Sequence, residues 1–182
     1  VVIISLLYIE SLYAHESLKG ILETHIYQTT VKGPKFKMAK VYLPADYYSQ
    51  SQRYPVVYLL HGANGNENSW ISRGNILKDI DSLVMCGAIG DYIYVFPNSN
   101  RYYNDYDFID SHTIDCIESY FNLNGSAEHS FIYDLVTYIE RRFRTIPTKE
   151  YRAIAGLSLG GLQSLYITAN APDMFGCIGL FS

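Results

Sequence analysis

The sequence predicts an α/β fold built on a mostly parallel sheet, and three observations predict it. The chain opens on two partly alternating stretches, 22–31 and 35–44, joined by Lys32-Gly33-Pro34, which has the composition of a hairpin turn. Three continuous apolar runs of strand length follow, 54–62 (YPVVYLLHG), 91–97 (DYIYVFP) and 151–157 (YRAIAGL), as expected of strands buried on both faces. Helical periodicity takes over between and after these runs. An antiparallel entry followed by strand–helix alternation points to a sheet flanked by helices.

Taken in order, residues 1–9 (VVIISLLYI) form a short apolar run, and the small Ala14 follows it. This is the pattern of the core and cleavage end of a secretory signal peptide, here without an initiating Met or a basic start. Residues 1–14 are therefore expected to be a partial signal, and the protein to be secreted or periplasmic. The run is too short to span a bilayer, so no stable membrane insertion is expected. Residues 75–87 place Ile76, Leu77, Ile80, Leu83 and Val84 on one helical face and end on Gly87. Residues 131–143 (FIYDLVTYIERRF) form a strongly periodic amphipathic helix, with Ser130 in position to cap it. Residues 159–171 (LGGLQSLYITANA) form a helix that Pro172 ends, and 175–182 (FGCIGLFS) is a last strand. The domain is thus read as 22–182, with 98–129 as an insert near the cleft.

Composition narrows the function. Of 182 residues, 48% are hydrophobic and 18% charged, so the chain is globular. A net charge of −4 and no basic cluster argue against nucleic-acid binding. The run Arg141-Arg142-Phe143-Arg144 ends a helix, where it complements the helix dipole and solvates a face. Cys86, Cys116 and Cys177 have no metal-site or disulfide-framework spacing, and Cys177, in an apolar run, reads as a small core residue. No nucleotide loop or metal cluster is present in the sequence, and no cofactor is expected.

The chemistry lies at two strand ends. Gly156-x-Ser158-x-Gly160 is weak as a bare pattern. Its setting strengthens it, because an apolar strand ends at Leu157 and a small-residue helix starts directly after Ser158. So sharp a strand-to-helix turn strains the serine backbone and exposes its hydroxyl, and glycines must flank it to avoid collisions. A serine capping a helix would explain Ser158 but not Gly156, Gly160 and Gly161 together. Ser158 is the candidate nucleophile. Acylation also needs donors for the developing oxyanion. The backbone N–H of Leu159 at the helix start is one, and that of Ala63 in the loop after strand 54–61 is the other. Gly62 and Gly65 are expected to let that loop approach a ligand closely. His61 is read as a prop for the loop and not as the base. Asn64, Tyr102 and Tyr103 are candidate substrate contacts, because tyrosines clustered beside a cleft suit sugar faces or a phenolic acyl group.

"YPVVYLLHGANGNENSW", "DYIYVFPN" and "YRAIAGLSLGGLQSLYITANAPDMF" together resemble the α/β-hydrolase esterase family of feruloyl esterases, S-formylglutathione hydrolase and the mycolyltransferase antigens. The likeness is strongest to its secreted bacterial feruloyl- and acetylxylan-esterase branch. The resemblance spans about residue 25 to 182. It implies a serine carboxylesterase acting on acyl or feruloyl esters of plant polysaccharide or a related carbohydrate. An acyltransferase of the same fold and a non-catalytic glycan-binding relative are the alternatives. It also implies the chain order serine, acid, histidine. Residues 159–182 contain no histidine, and Asp173, their only acid, sits past the far end of the helix leaving Ser158. His15, His25, His112 and His129 all precede the serine. The acid and histidine are therefore expected beyond Ser182, together with further strands. As a last strand, 175–182 would be the long uncharged edge that native sheets avoid. By this reading the 182 residues are cut at both ends and hydrolyse esters negligibly by themselves.

Overall fold

A computed structural model describes residues 18–30, 35–100 and 129–182. The predicted signal segment, the Lys32-Gly33-Pro34 turn, Cys116, His112, Tyr102 and Tyr103 lie outside the described residues.

Six strands form one sheet in the order β1-β2-β4-β3-β5-β6. β1 (Ile21–Gln28) and β2 (Phe36–Leu43) pair antiparallel along their full length, from Ile21 opposite Leu43 to Gln28 opposite Phe36. β2 then pairs antiparallel with β4 (Ile93–Pro97). β3 (Val56–Leu60) runs parallel to β4 on one side and to β5 (Arg152–Leu157) on the other, and β6 (Cys177–Phe181) runs parallel to β5. The mixed sheet with its antiparallel entry is the α/β architecture expected from the sequence.

Alternation along the central strands divides the core into two layers. Val56, Tyr58 and Leu60 of β3, with Ile93 and Val95 of β4 and Ile154 of β5, pack against Phe131, Leu135, Ile139 and Ile167. Leu59, Tyr94, Phe96 and Ala155 turn the other way, onto Leu77 and Ile80 of the helix Ile76–Met85. Period-two side-chain direction along a strand covered on both faces requires apolar residues at every position, which is why these segments read as unbroken runs. Two helices occupy the β3–β4 connection, a short α1 (Ser69–Gly74) and α2 (Ile76–Met85). α1 was not expected from the sequence. Asn75 separates the two in a left-handed conformation (φ 52°, ψ 23°), which asparagine tolerates better than most residues.

The helix expected at 131–143 is present but differs in detail. Residues Ser130–Val136 are wound as a π-helix and continue as α3 (Thr137–Arg142). Ser130 does not cap it. His129 already has helical dihedrals (φ −58°, ψ −49°), so Ser130 lies inside the helical run and its side chain is buried in the core. Arg141 and Arg142 fall in the last turn, as read from the sequence, and Arg144 stacks on the ring of Tyr47 at 3.9 Å. α4 (Leu159–Asn170) follows β5. Cys177 is also a correction: it is exposed and not part of the core. Among the described strands β6 has a neighbour on one side only, and Cys177, Ile178, Leu180 and Phe181 are open to solvent.

One buried charge makes stability depend on pH. Lys37 of β2 is 6% exposed, and burial pulls its ammonium down to about 8, with Asp134 partly opposing the shift. The unfolded chain binds this proton more tightly than the folded one. Lys37 therefore costs stability below pH 8, and the cost fades as pH rises toward the ordinary value of 10.5. Burial also keeps the phenols of Tyr27, Tyr42, Tyr58 and Tyr94 protonated above their ordinary range, so above pH 10 the unfolded state ionises first and stability falls. Urea unfolding from pH 7 to 11 is expected to show a maximum near pH 9–10, with Lys37 contributing a rise of roughly 1–3 kcal/mol. Lys37→Met should flatten the rise and leave the fall above pH 10 in place.

Candidate active site

The parallel strands bring the two segments singled out from the sequence together. β3 and β5 are direct neighbours, with Leu60 opposite Gly156, so the loop after β3 and the turn after β5 emerge side by side at their carboxyl ends. The chain passes from β3 to β4 on one side, then back over β3 to β5 on the other. Such a reversal opens a crevice at the strand ends.

Ser158 stands at that end of the sheet, directly after β5. Its backbone has φ 52° and ψ −114°, a region that non-glycine residues rarely adopt, and the residue is exposed. Strain of this kind persists only when the surroundings impose it. Here the Ser158 N–H donates to the Phe181 carbonyl at 2.7 Å, and the Ser158 carbonyl accepts from the Leu162 N–H at 3.1 Å. The glycines permit the turn by close approach. A methyl group on Gly156 would sit 2.1 Å from backbone atoms of Gly160, and one on Gly160 would lie 2.5 Å from the His61 carbonyl oxygen and 2.6 Å from that of Leu60. The first turn of α4 is thus pressed onto the ends of both β5 and β3. A methyl group on Gly161 would likewise lie 3.0 Å from the Gly156 carbonyl oxygen.

The facing loop is densely hydrogen-bonded. A methyl group on Gly62 would lie 3.6 Å from the Ser158 Cβ, which puts the Gly62–Ala63 peptide directly beside Ser158. The Ala63 N–H has no backbone acceptor among the described residues, and Leu159, first residue of α4, presents its N–H at the positive end of the helix. Asn64 is exposed next to Ala63 in a left-handed conformation (φ 57°). Gly65 is packed from within the loop. A methyl group there would meet Ser69 Oγ at 2.7 Å and His61 Nδ1 at 2.9 Å, so this glycine lets the loop fold on itself.

His61 is buried, and both of its ring nitrogens are engaged. Nδ1 lies 2.7 Å from the Gly62 carbonyl, and Nε2 lies 3.1 Å from the Ser99 N–H and 3.2 Å from Ser99 Oγ. It therefore props the loop, as expected, and does not face the serine as a base. Sequence reasoning missed the rest of the brace. Glu67 is a buried carboxylate held by the side-chain amides of Asn68 and Asn98 at 3.0 and 3.1 Å. Asn100 donates to the Gly65 carbonyl at 2.7 Å, and Trp70 Nε1–H donates to the Leu60 carbonyl at 3.1 Å. The signal was the density of amide side chains in "HGANGNENSW" and "PNSN", more than solvation of a loop requires.

Among the described residues no acid or histidine bonds to the Ser158 hydroxyl. Asp173 is paired with Lys149 at 3.6 Å and is fully exposed beyond the far end of α4. His25 belongs to β1, four strands from β5 in the sheet, and bonds Glu23 and Tyr138. His129 is exposed and stacks on Tyr133. No helix among the described residues is long and apolar enough to cross a membrane.

Residues 35–182 match the Esterase family. An endo-1,4-beta-xylanase/feruloyl esterase of Xylanibacter ruminicola is 36% identical over 154 residues, covering 81% of this chain and 20% of that protein. A solved ferulic acid esterase superposes with a TM-score of 0.73 at 29% identity, over 89% of this chain and 58% of its own. S-formylglutathione hydrolase from Staphylococcus aureus shares the fold, with a TM-score of 0.59 at 17% identity, over 86% of this chain and 54% of its own. The 182 residues therefore span a fifth of the curated relative and little more than half of either solved structure.

The close contact at Gly160 has a measurable cost. Gly160→Ala must push a methyl group into two backbone carbonyls and is expected to lose roughly 3 kcal/mol or more in urea unfolding. Gly90→Ala, whose added methyl group would find its nearest neighbour at 3.9 Å, should stay within about 0.5 kcal/mol.

Proposed function

The chain belongs to the Esterase family, and on that premise we propose that it is the nucleophile-bearing part of a serine carboxylesterase. The observation that carries the reading is Ser158, strained at φ 52°, beside the Gly62–Ala63 peptide. In the proposed reaction Ser158 Oγ attacks the ester carbonyl carbon while its proton passes to a general base. The carbonyl oxygen takes up negative charge facing the Ala63 and Leu159 N–H groups. Collapse breaks the bond to the alcohol oxygen, which leaves with a proton, and water then releases the acid from the acyl-serine by the same steps. The fold's chain order puts the acid and the histidine after the nucleophile.

The substrate class we propose is a feruloyl or related acyl ester of a plant polysaccharide. The relative named xylanase/feruloyl esterase, at 36% identity, and the solved ferulic acid esterase, at 29%, support this choice. Asn64, Tyr102 and Tyr103 are proposed to line the acyl and sugar positions. Export from the cell follows from the polymeric substrate and from the apolar start of the sequence.

In the full-length protein, Ser158→Ala is expected to lower kcat on methyl ferulate at least ~10⁴-fold. Rapid quenching of the unaltered enzyme should trap an acyl adduct on the peptide carrying Ser158, visible by mass spectrometry. Turnover that survives the substitution would refute the assignment.

A further inference from the structure

We propose that His61 is a positioning residue that aims the Ala63 N–H at the oxyanion, through a ring tautomer fixed by its two neighbours. The inference rests on Ser158 being the acylating nucleophile. It follows from the direction of each hydrogen bond.

The Ser99 backbone N–H can only donate, so Nε2 of His61, 3.1 Å away, must accept. In a neutral imidazole the proton then resides on Nδ1. Nδ1–H donates to the Gly62 carbonyl at 2.7 Å, and the Gly65 N–H donates to the same oxygen at 3.2 Å. Two donors on one carbonyl fix the plane of the Gly62–Ala63 peptide. That peptide is trans, so its N–H points away from its carbonyl. With the carbonyl drawn back toward His61 and Gly65, the Ala63 N–H is turned outward, and Gly62 borders Ser158. A peptide flipped by half a turn would set an oxygen where the oxyanion forms. His61 thus acts on the reaction through a peptide group and without touching substrate.

The frame behind His61 is stiff. Ser99 N–H holds Nε2, and the Ser99 carbonyl accepts from Gln163 of α4 at 3.3 Å. Asn98 and Asn100 of the same segment hold Glu67 and the Gly65 carbonyl. The loop after β4 is in this way the template against which the imidazole sets the donor loop.

Two amide variants separate the two ring nitrogens. Asn at 61 puts a donor near the place of Nδ1 and can still reach the Gly62 carbonyl. Gln puts its amide near the place of Nε2, where it can accept from Ser99 but leaves the Gly62 carbonyl with the Gly65 N–H alone. In the full-length protein, with methyl ferulate, H61N is expected to keep kcat within ~5-fold, and H61Q to lose ~100-fold in kcat with KM changed less than ~3-fold. Equal losses in the two variants, or a loss confined to KM, would overturn the proposal, since a merely structural histidine would move both together. A second measurement needs neither variant folding nor turnover. ¹⁵N chemical shifts of His61 in the unaltered protein at neutral pH should report the neutral Nδ1–H tautomer, and an Nε2–H tautomer or an imidazolium would refute it. If turnover persists in Ser158→Ala, the nucleophile assignment fails and the positioning role falls with it, whereas loss of turnover in Ser158→Ala with the wrong tautomer overturns the positioning role alone.

Discussion

The contact on which everything else depends is the meeting of α4 with the ends of β3 and β5, where only hydrogen atoms fit on the Cα of Gly156 and Gly160. A helix leaving a parallel strand ordinarily stands off from the sheet by the thickness of its side chains. Here the first turn has none to spare, and α4 rests on backbone. That approach turns Ser158 into its strained conformation, and it packs the start of α4 on the Leu60 and His61 carbonyls, from which the loop after β3 departs. Ser158 and the Gly62–Ala63 peptide are therefore placed by one packing event.

The sheet makes that contact useful. Because β3 lies between β4 and β5, the loops after all three open onto the same end, and each contributes a different kind of group. The β5 turn brings a hydroxyl, the β3 loop a peptide N–H, and the β4 loop the amide side chains that hold the β3 loop. Most of these bonds run from side chain to backbone, which fixes peptide orientations and not just positions. Preorganised dipoles need no rearrangement when charge develops, and this makes them effective in acyl transfer.

Much of this arrangement was legible in the sequence, because the features that place it are local. An apolar run covered on both faces can be read from composition alone, and the spacing of Gly156, Ser158, Gly160 and Gly161 carries the turn. The loop after β3 was legible as a location but not as a structure. Helix α1 is too short to show a period, and Glu67 looks like a solvated acid until Asn98, 31 residues away, is seen to hold it. Ser130 misled because a serine before an amphipathic stretch fits a cap, whereas the backbone is already helical at His129 and the hydroxyl turns inward. Cys177 misled because an apolar run signals a buried strand only if both faces are covered, and coverage is a property of the neighbours.

The dihedral angles of Ser158 imply a conflict between durability and chemistry. Glycine would occupy φ 52°, ψ −114° at far lower energy, so a chain shaped for folding alone would carry glycine at 158. The serine is tolerated at a cost on the order of 1–3 kcal/mol, a sizeable part of what separates a folded domain from an unfolded one. That deficit has to be made up by the rest of the chain, and the buried tyrosines, leucines and isoleucines of the two core layers are where it is recovered. A version with glycine in that place would be the sturdier protein.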